Sequence, residues 1–262
     1  MRSFFVSLSS EFYKSRKTLA FWSAILLPVL ICVLISWGFV SKADKLVNDP
    51  APLLWFRYIS AIIGVMGVLL LPVLVIYNTY SITNMEYKGD TWKSLFSLPL
   101  PKLSIYASKY LYIVFLTFLT MALFSLLIIA TGHGIEFLKP QLKFSAYNPN
   151  DLIFKFFTKL FLSSIGIISI QFLMNLMWND FLKPFGIGFV LTILGIITSQ
   201  LKWDYVNFFP YAYPNLTVQN IMQSKGGIDK IAIFDQAIYN SLICGVAVFI
   251  IGYFMVARKT IK

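Results

Sequence analysis

The side chains best suited to chemistry lie in one short stretch, Glu86–Lys93, which reads Glu-Tyr-Lys-Gly-Asp-Thr-Trp-Lys. Carboxylates, ammonium groups and an indole this close together can recognise a partner surface through ion pairs and hydrogen bonds. Asp90 or Thr91 can cap a short helix, in which Trp92 and Phe96 share a face. Two interpretations fit this stretch: a docking element for a groove on a cytoplasmic partner, or a loop that Trp92 anchors in the membrane interface.

The rest of the chain offers little for catalysis. It contains no G-x-x-x-x-G-K-[ST] motif and therefore no P-loop, so any ATP that drives it binds another polypeptide. His133 is the only histidine, which excludes an H-E-x-x-H metalloprotease site and a histidine-rich metal site. A membrane enzyme needs a nucleophile or paired acids at one depth, and no such set stands out. We predict no catalytic residue, no metal and no cofactor for this chain.

The positions of the carboxylates also restrict the mechanism. All eleven Asp and Glu residues fall in loops or at the ends of apolar segments. Ion-coupled and proton-coupled transporters usually need ionisable groups near the membrane midplane, so these classes are disfavoured. The midplane of the fourth apolar segment carries only Gln171 and Asn175, spaced i, i+4 on one face. We predict that they form intramembrane hydrogen bonds between helices rather than line a polar pathway.

The elements that carry these residues are long and apolar. The chain is 58% hydrophobic and 13% charged, against about 25% charged in a typical soluble domain. Six segments have the length needed to cross a bilayer as helices. They cover approximately residues 19–39, 53–77, 111–131, 156–178, 185–201 and 238–256. We predict an all-α integral membrane protein with six transmembrane helices.

Charged residues at the two ends of the chain set its orientation. Lys14, Arg16 and Lys17 immediately precede the first segment, and Arg258 and Lys259 immediately follow the last. The positive-inside rule therefore places both termini in the cytoplasm, an N-in/C-in topology with 12 of the 22 Lys and Arg residues inside. The net charge of +11 is interpreted as topology and attraction to anionic headgroups, with no nucleic-acid partner.

Three regions outside the spans have distinct patterns. In residues 1–17, Phe4, Phe5, Leu8 and Phe12 share one helical face, opposite serines, Glu11 and Lys14. This pattern predicts an amphipathic helix lying in the membrane interface. Residues 78–109 form a predicted cytoplasmic loop. Residues 202–235 form an aromatic outer segment, which lies in the outer interface or re-enters it.

The layout and several local sequences resemble a known family. The stretches Glu11–Lys17 before the first span, Glu86–Pro99 after the second and Ser104–Lys109 before the third resemble ABC-2-type transporter permeases. Among these, the chain is most similar to permeases of bacteriocin (lantibiotic) immunity and export systems. The resemblance in layout covers nearly the whole chain, whereas the resemblance in sequence is concentrated in residues 86–109.

The resemblance implies a single ABC-2-type transmembrane domain over residues 1–262, located in the bacterial inner (cytoplasmic) membrane. Such permeases pair with a second copy or with a paralogous six-span permease. Separate ABC ATPase subunits bind the ATP and Mg²⁺, and the loop after the second span receives their movement. The residues that would couple the permease to the ATPase are Glu86, Gly89, Thr91, Trp92 and Lys93.

Two functions are consistent with the sequence. The first is the permease subunit of an ATP-driven exporter for an amphipathic, membrane-partitioned substrate such as an antimicrobial peptide. The alternative is a membrane structural or sensor subunit without transport activity, because the same apolar bundle would permit it. An ATPase gene beside the gene for this chain would favour the first function.

Overall fold

The computed structural model describes residues 2–89, 100–178, 180–223 and 232–258. All regular secondary structure in these ranges is helical. An N-terminal helix, Arg2–Ser15, precedes six helices that are long and apolar enough to span a membrane. These spans are Leu19–Ser41, Ala51–Tyr87, Lys102–Leu138, Asn150–Met177, Leu182–Gln200 and Gln236–Arg258. The predicted all-α architecture with six spans is therefore confirmed.

The second and third spans extend further than their apolar cores. Helix continues through residues 78–88 and resumes at Lys102, so both ends of the predicted loop over residues 78–109 are helical instead. Hydropathy detects only the part of a helix that lies in hydrocarbon. Polar residues such as Asn84 and Glu86 do not break a helix that has left that layer. The described residues outside regular helix here are Gly89, Leu100 and Pro101.

One wide turn interrupts the second span at Met66–Leu70, where the backbone is a π-helix. The Leu71 N–H donates to the Met66 carbonyl, five residues back. Pro72 follows directly and has no N–H with which to continue the regular ladder, so the pattern of hydrogen bonds shifts at this point. Gly67 lies in the wide turn and is fully covered by neighbouring side chains.

The fourth span forms the centre of the bundle, since it is the most buried of the six and the sixth is the least buried. The second, third and sixth spans all pack against the fourth, while the first packs mainly on the third. The core between them is apolar and aromatic, with Trp55, Phe124, Phe156 and Phe172 almost completely buried.

Side-chain hydrogen bonds cap the first and fifth spans at the predicted cytoplasmic end of the bundle. The Thr18 hydroxyl accepts from the Phe21 N–H and donates to the Ser15 carbonyl, which fixes the turn between the N-terminal helix and the first span. Before the fifth span, Asp180 accepts from the Lys183 N–H at 2.9 Å. This hydrogen bond, with the Lys183 side chain, lowers the pKa of the exposed Asp180 carboxyl group.

Candidate functional site

Four charged side chains meet at the predicted cytoplasmic end of the bundle and form what we call the ionic cluster: Glu11, Lys14, Glu86 and Lys109. Lys109 Nζ lies 2.8 and 2.9 Å from the two carboxylate oxygens of Glu11 and 2.9 Å from Glu86 Oε1. Lys14 Nζ lies 2.9 Å from the same Glu86 oxygen and 3.8 Å from Glu11 Oε1. Among the described residues, the cluster holds two carboxylates and two ammonium groups.

Three of these four groups are removed from solvent. Lys109, Glu11 and Glu86 are 1%, 3% and 1% exposed, whereas the Lys14 side chain is 36% exposed. Burying charges is costly, and close opposite charges with additional hydrogen bonds are needed to offset that cost. A partner removed from such a cluster leaves an uncompensated buried charge, so the four side chains constrain one another strongly.

The ionic cluster joins three separate elements. Glu11 and Lys14 belong to the N-terminal helix, Glu86 to the last turn of the second span and Lys109 to the third span. A hydrogen bond between the Ser15 and Tyr112 hydroxyl groups extends the same contact by one helical turn. The stretch of residues 90–99 leaves the second span and returns to the third between two members of the cluster. Any displacement of that stretch therefore acts on helices that the cluster ties to the N-terminal helix.

The structure describes two of the five predicted coupling residues, Glu86 and Gly89. Glu86 is a member of the ionic cluster, and Gly89 ends the second span, with its N–H donating to the Met85 carbonyl. Thr91, Trp92 and Lys93 lie outside the described residues, as do the other positions from 90 to 99. The structure thus places one predicted coupling residue, Glu86, in a buried contact with two helices.

The N-terminal helix turns its apolar residues outwards. Phe5 and Phe12 are exposed, while Phe4 and Leu8 are partly buried. On its polar side, Glu11 is buried against the third span, while Ser10 and Lys14 are exposed. The interfacial position of this helix therefore stays a prediction, and it is consistent with the exposure of Phe5 and Phe12.

The sequence alone does not reveal that Lys109 is buried. Its charge and its position near the start of the third span, seven residues after Lys102, suggest an ordinary cation of the predicted cytoplasmic surface. One signal is present: Glu11 and Ser15 are spaced i, i+4, and so share a face, on a helix that directly precedes a span. That spacing suggests a polar contact, but it does not identify the partner on another helix.

Gln171 and Asn175 are fully enclosed in the bundle and make different contacts. The Gln171 Nε2 donates to the Tyr211 hydroxyl at 2.8 Å, which connects the fourth span to the outer segment. The Asn175 Nδ2 donates to the Gln171 carbonyl within its own helix, also at 2.8 Å. Of the two, Gln171 makes the contact between elements.

The outer segment enters the bundle. Two 3₁₀ turns, Val206–Phe208 and Pro210–Ala212, lead into an outer helix, Tyr213–Met222, whose Val218 covers Gly67 in the wide turn of the second span. Asn215 and Ser199 form a buried hydrogen bond. The buried Tyr213 hydroxyl donates to the Asn207 carbonyl at 3.0 Å.

An ion pair between a buried lysine and a partly buried aspartate holds the segment that leads into the sixth span. Lys159, 4% exposed in the fourth span, lies 2.9 Å from Asp235 Oδ2 and donates to the Ala232 carbonyl at 2.9 Å. Asp235 in turn accepts from the Ile238 N–H at the start of the sixth span. Lys159 thus fixes the end of the outer segment to the centre of the bundle.

Replacing Lys159 with methionine is expected to lower the free energy of unfolding by about 2 kcal/mol, since Asp235 would lose its cation and Ala232 its donor. Denaturant titration of the purified protein measures this loss. The control is Lys155→Met, which removes an ion pair to the exposed Asp151 and should cost about 0–1 kcal/mol. Equal losses for the two variants would show that Lys159 has no special structural role.

No group of three or more His, Cys, Asp or Glu side chains that could hold a metal ion occurs among the described residues. The ionic cluster has two carboxylates, and ammonium groups contact both oxygens of Glu11 and Oε1 of Glu86. The described contacts of the ionic cluster join the N-terminal helix to the second and third spans.

Comparison with known proteins identifies one family. The sequence model of a family described as ABC-2 family transporter protein matches residues 7–195, which extend from the N-terminal helix through most of the fifth span. The match includes all four members of the ionic cluster and ends before the outer segment. A search of curated proteins found no significant match.

Proposed function

This chain belongs to the ABC-2 transporter family and is a multi-pass permease component of a membrane transporter, and we propose that it is the membrane half of an ATP-driven exporter. Its substrate would be amphipathic and already partitioned into the bilayer, an antimicrobial peptide being one such class. The bacterial cytoplasmic membrane is the proposed location, with both termini inside.

The ionic cluster is the observation that carries this proposal. It joins the helices on either side of residues 90–99 to the N-terminal helix at the membrane interface. A push on that stretch from a cytoplasmic motor would move the second and third spans and the N-terminal helix together, because separating them would expose or unpair buried charges. A permease without its own ATP site needs such a connection, because movement of the ATPase has to reach the transmembrane helices through the cytoplasmic stretch.

The composition of the spans supports a membrane-partitioned substrate. The buried side-chain amides of Gln171 and Asn175 donate hydrogen bonds within the protein, while their oxygens have no partner among the described residues. Among the described residues, the two buried lysines, Lys109 and Lys159, are held by carboxylates near the two ends of the bundle. A substrate dissolved in lipid can leave along a lateral surface between subunits and needs no polar tunnel.

The proposed partners are ATPase subunits and a second permease. Its sequence contains no P-loop, so ATP and Mg²⁺ would bind to separate ABC ATPase subunits. The second half of the transmembrane pathway would come from another copy of this chain or from a paralogous six-span permease.

Replacing Trp92 with alanine tests the coupling role. We expect ATP-dependent transport to fall about tenfold or more while the complex still assembles, because truncating a tryptophan anchor at a protein interface often costs about 2 kcal/mol. Transport into proteoliposomes and co-purification of the ATPase subunit measure the two effects separately. The control is Trp203→Ala, an exposed tryptophan of the outer segment. Full ATP-coupled transport in Trp92→Ala would contradict the coupling role.

A further inference from the structure

A groove opens between the fourth and sixth spans at the predicted cytoplasmic end, and we call it the inner groove. Its volume is about 480 Å³, within the range of about 300–1,000 Å³ typical of small-molecule sites. The residues that line it are Leu173, Leu176, Met177, Gly252, Met255, Val256 and Arg258. Six of the seven are apolar or glycine, and the seventh is a cation at the last described position of the sixth span.

Gly252 allows the Tyr106 side chain of the third span to pack closely against the sixth span beside the inner groove. A Cβ atom there would collide with the Tyr106 hydroxyl and lie 3.4 Å from Leu173 Cδ1. Tyr106 is held in place, since its hydroxyl donates to the Phe249 carbonyl at 2.8 Å. The floor of the groove is therefore built by packed helices and does not depend on mobile surface side chains.

Two cations lie at the mouth of the groove. Arg258 is exposed and forms no ion pair with any described residue. Lys102, at the start of the third span, donates to the carbonyl of Ala257, the residue that precedes Arg258. An apolar slot with positive charge at its membrane-surface end is complementary to an acyl chain attached to an anionic headgroup.

The charges around this end favour an anion. With both termini inside, the cytoplasmic face carries 12 Lys and Arg residues against four carboxylates, Glu11, Glu86, Asp90 and Asp180. Of the three that are described, Glu11 and Glu86 belong to the ionic cluster and Asp180 pairs with Lys183. These three carboxylates are therefore engaged by other cations, and none of them pairs with Arg258.

We propose that the inner groove binds an anionic phospholipid of the cytoplasmic leaflet, with one acyl chain along Leu173 and Val256 and the phosphate beside Arg258. This site goes beyond the transport role and uses only the orientation proposed above. A bound lipid would fill the open side of the fourth and sixth spans, the most and the least buried helices of the bundle.

Native mass spectrometry of the purified full-length chain tests the proposal. The delipidated protein is titrated with phosphatidylglycerol and with phosphatidylcholine of identical acyl chains. We expect phosphatidylglycerol to bind more tightly, and Arg258→Ala to weaken it about fivefold, the factor equivalent to about 1 kcal/mol for one cation at an anionic surface. Lys17→Ala is the control, an exposed cation at the same end of the bundle.

A second pair of variants tests the apolar slot. Val256→Trp should fill the groove and weaken both lipids, whereas Val246→Trp, at a lipid-facing position of the same span, should weaken neither. Equal effects of Arg258→Ala and Lys17→Ala, or unchanged lipid binding in Val256→Trp, would overturn the proposal. If Val256→Trp instead lowers the fraction of dimer without affecting lipid binding, a second copy of the chain occupies the groove and the lipid site is wrong. These measurements need no ATPase, so their outcome is independent of the transport assay.

Discussion

Replacing Lys109 with methionine is expected to reduce the free energy of unfolding by about 3–5 kcal/mol and to abolish transport. Methionine has a similar length but no charge, so Glu11 and Glu86 would remain buried and close together, and of the two described cations beside them only the half-exposed Lys14 would be left. Denaturant titration in detergent measures the loss of stability, and transport by the reconstituted complex measures the loss of function.

Two further variants separate charge from packing at this position. Lys14→Met removes the half-exposed cation of the ionic cluster and should cost only about 0–1 kcal/mol. The triple variant Glu11→Gln, Glu86→Gln, Lys109→Met removes the buried charges together and should recover most of the stability lost in Lys109→Met. If Lys109→Met is as stable as the unmodified protein, Lys109 does not balance the two buried carboxylates.

Recovery of stability and recovery of transport distinguish two roles of the ionic cluster. If it only stabilises the fold, the triple variant should transport normally. We expect instead that transport stays impaired, because neutral side chains at these positions would join the N-terminal helix to the second and third spans less firmly than the charged groups do.

Replacing Gly195 with alanine is the second change expected to have a large effect, a loss of about 3 kcal/mol in the free energy of unfolding. A Cβ atom at Gly195 would lie 2.5 Å from the Tyr211 carbonyl oxygen and 2.9 Å from the Ala212 nitrogen. Both are backbone atoms, so no side chain can rotate away, and the fifth span or the outer segment must shift. Thermal unfolding in detergent measures the loss.

The same helix provides a matched control for Gly195→Ala. A Cβ atom at Gly186 would meet no neighbouring element within 4 Å, so Gly186→Ala should be neutral or slightly stabilising, since alanine is the better helix former. Opposite signs for the two substitutions would show that the outer segment is packed closely on the fifth span. Similar effects of both would contradict the close approach of Tyr211.

The sequence predicts some elements of the fold and misses others. The six spans are predictable because apolar runs of bilayer length have few alternative structures. The helical ends over residues 78–88 and 102–109 are missed, because polar residues outside the hydrocarbon are compatible with either helix or loop. The exposed aromatic residues Phe5 and Phe12 follow from periodicity alone.

The pairings between elements are not contained in local sequence. Glu11 and Lys109 are 98 residues apart, and each taken alone resembles an ordinary surface charge. The re-entry of the outer segment depends on Gly195 and Gly67, two glycines on different spans whose missing side chains leave room for it. Such complementarity becomes visible only when the helices are assembled.

The most direct test of the proposed coupling is photo-crosslinking from position 92 in the intact membrane. A photoreactive benzophenone amino acid is placed at position 92 of the full-length chain and, as a control for the opposite face, at position 203. We predict that position 92 crosslinks to a separate ATP-binding protein with a P-loop and that position 203 does not. Crosslinking of position 92 only to lipid, in membranes where the complex is assembled and active, would contradict the proposal that this stretch receives the motor.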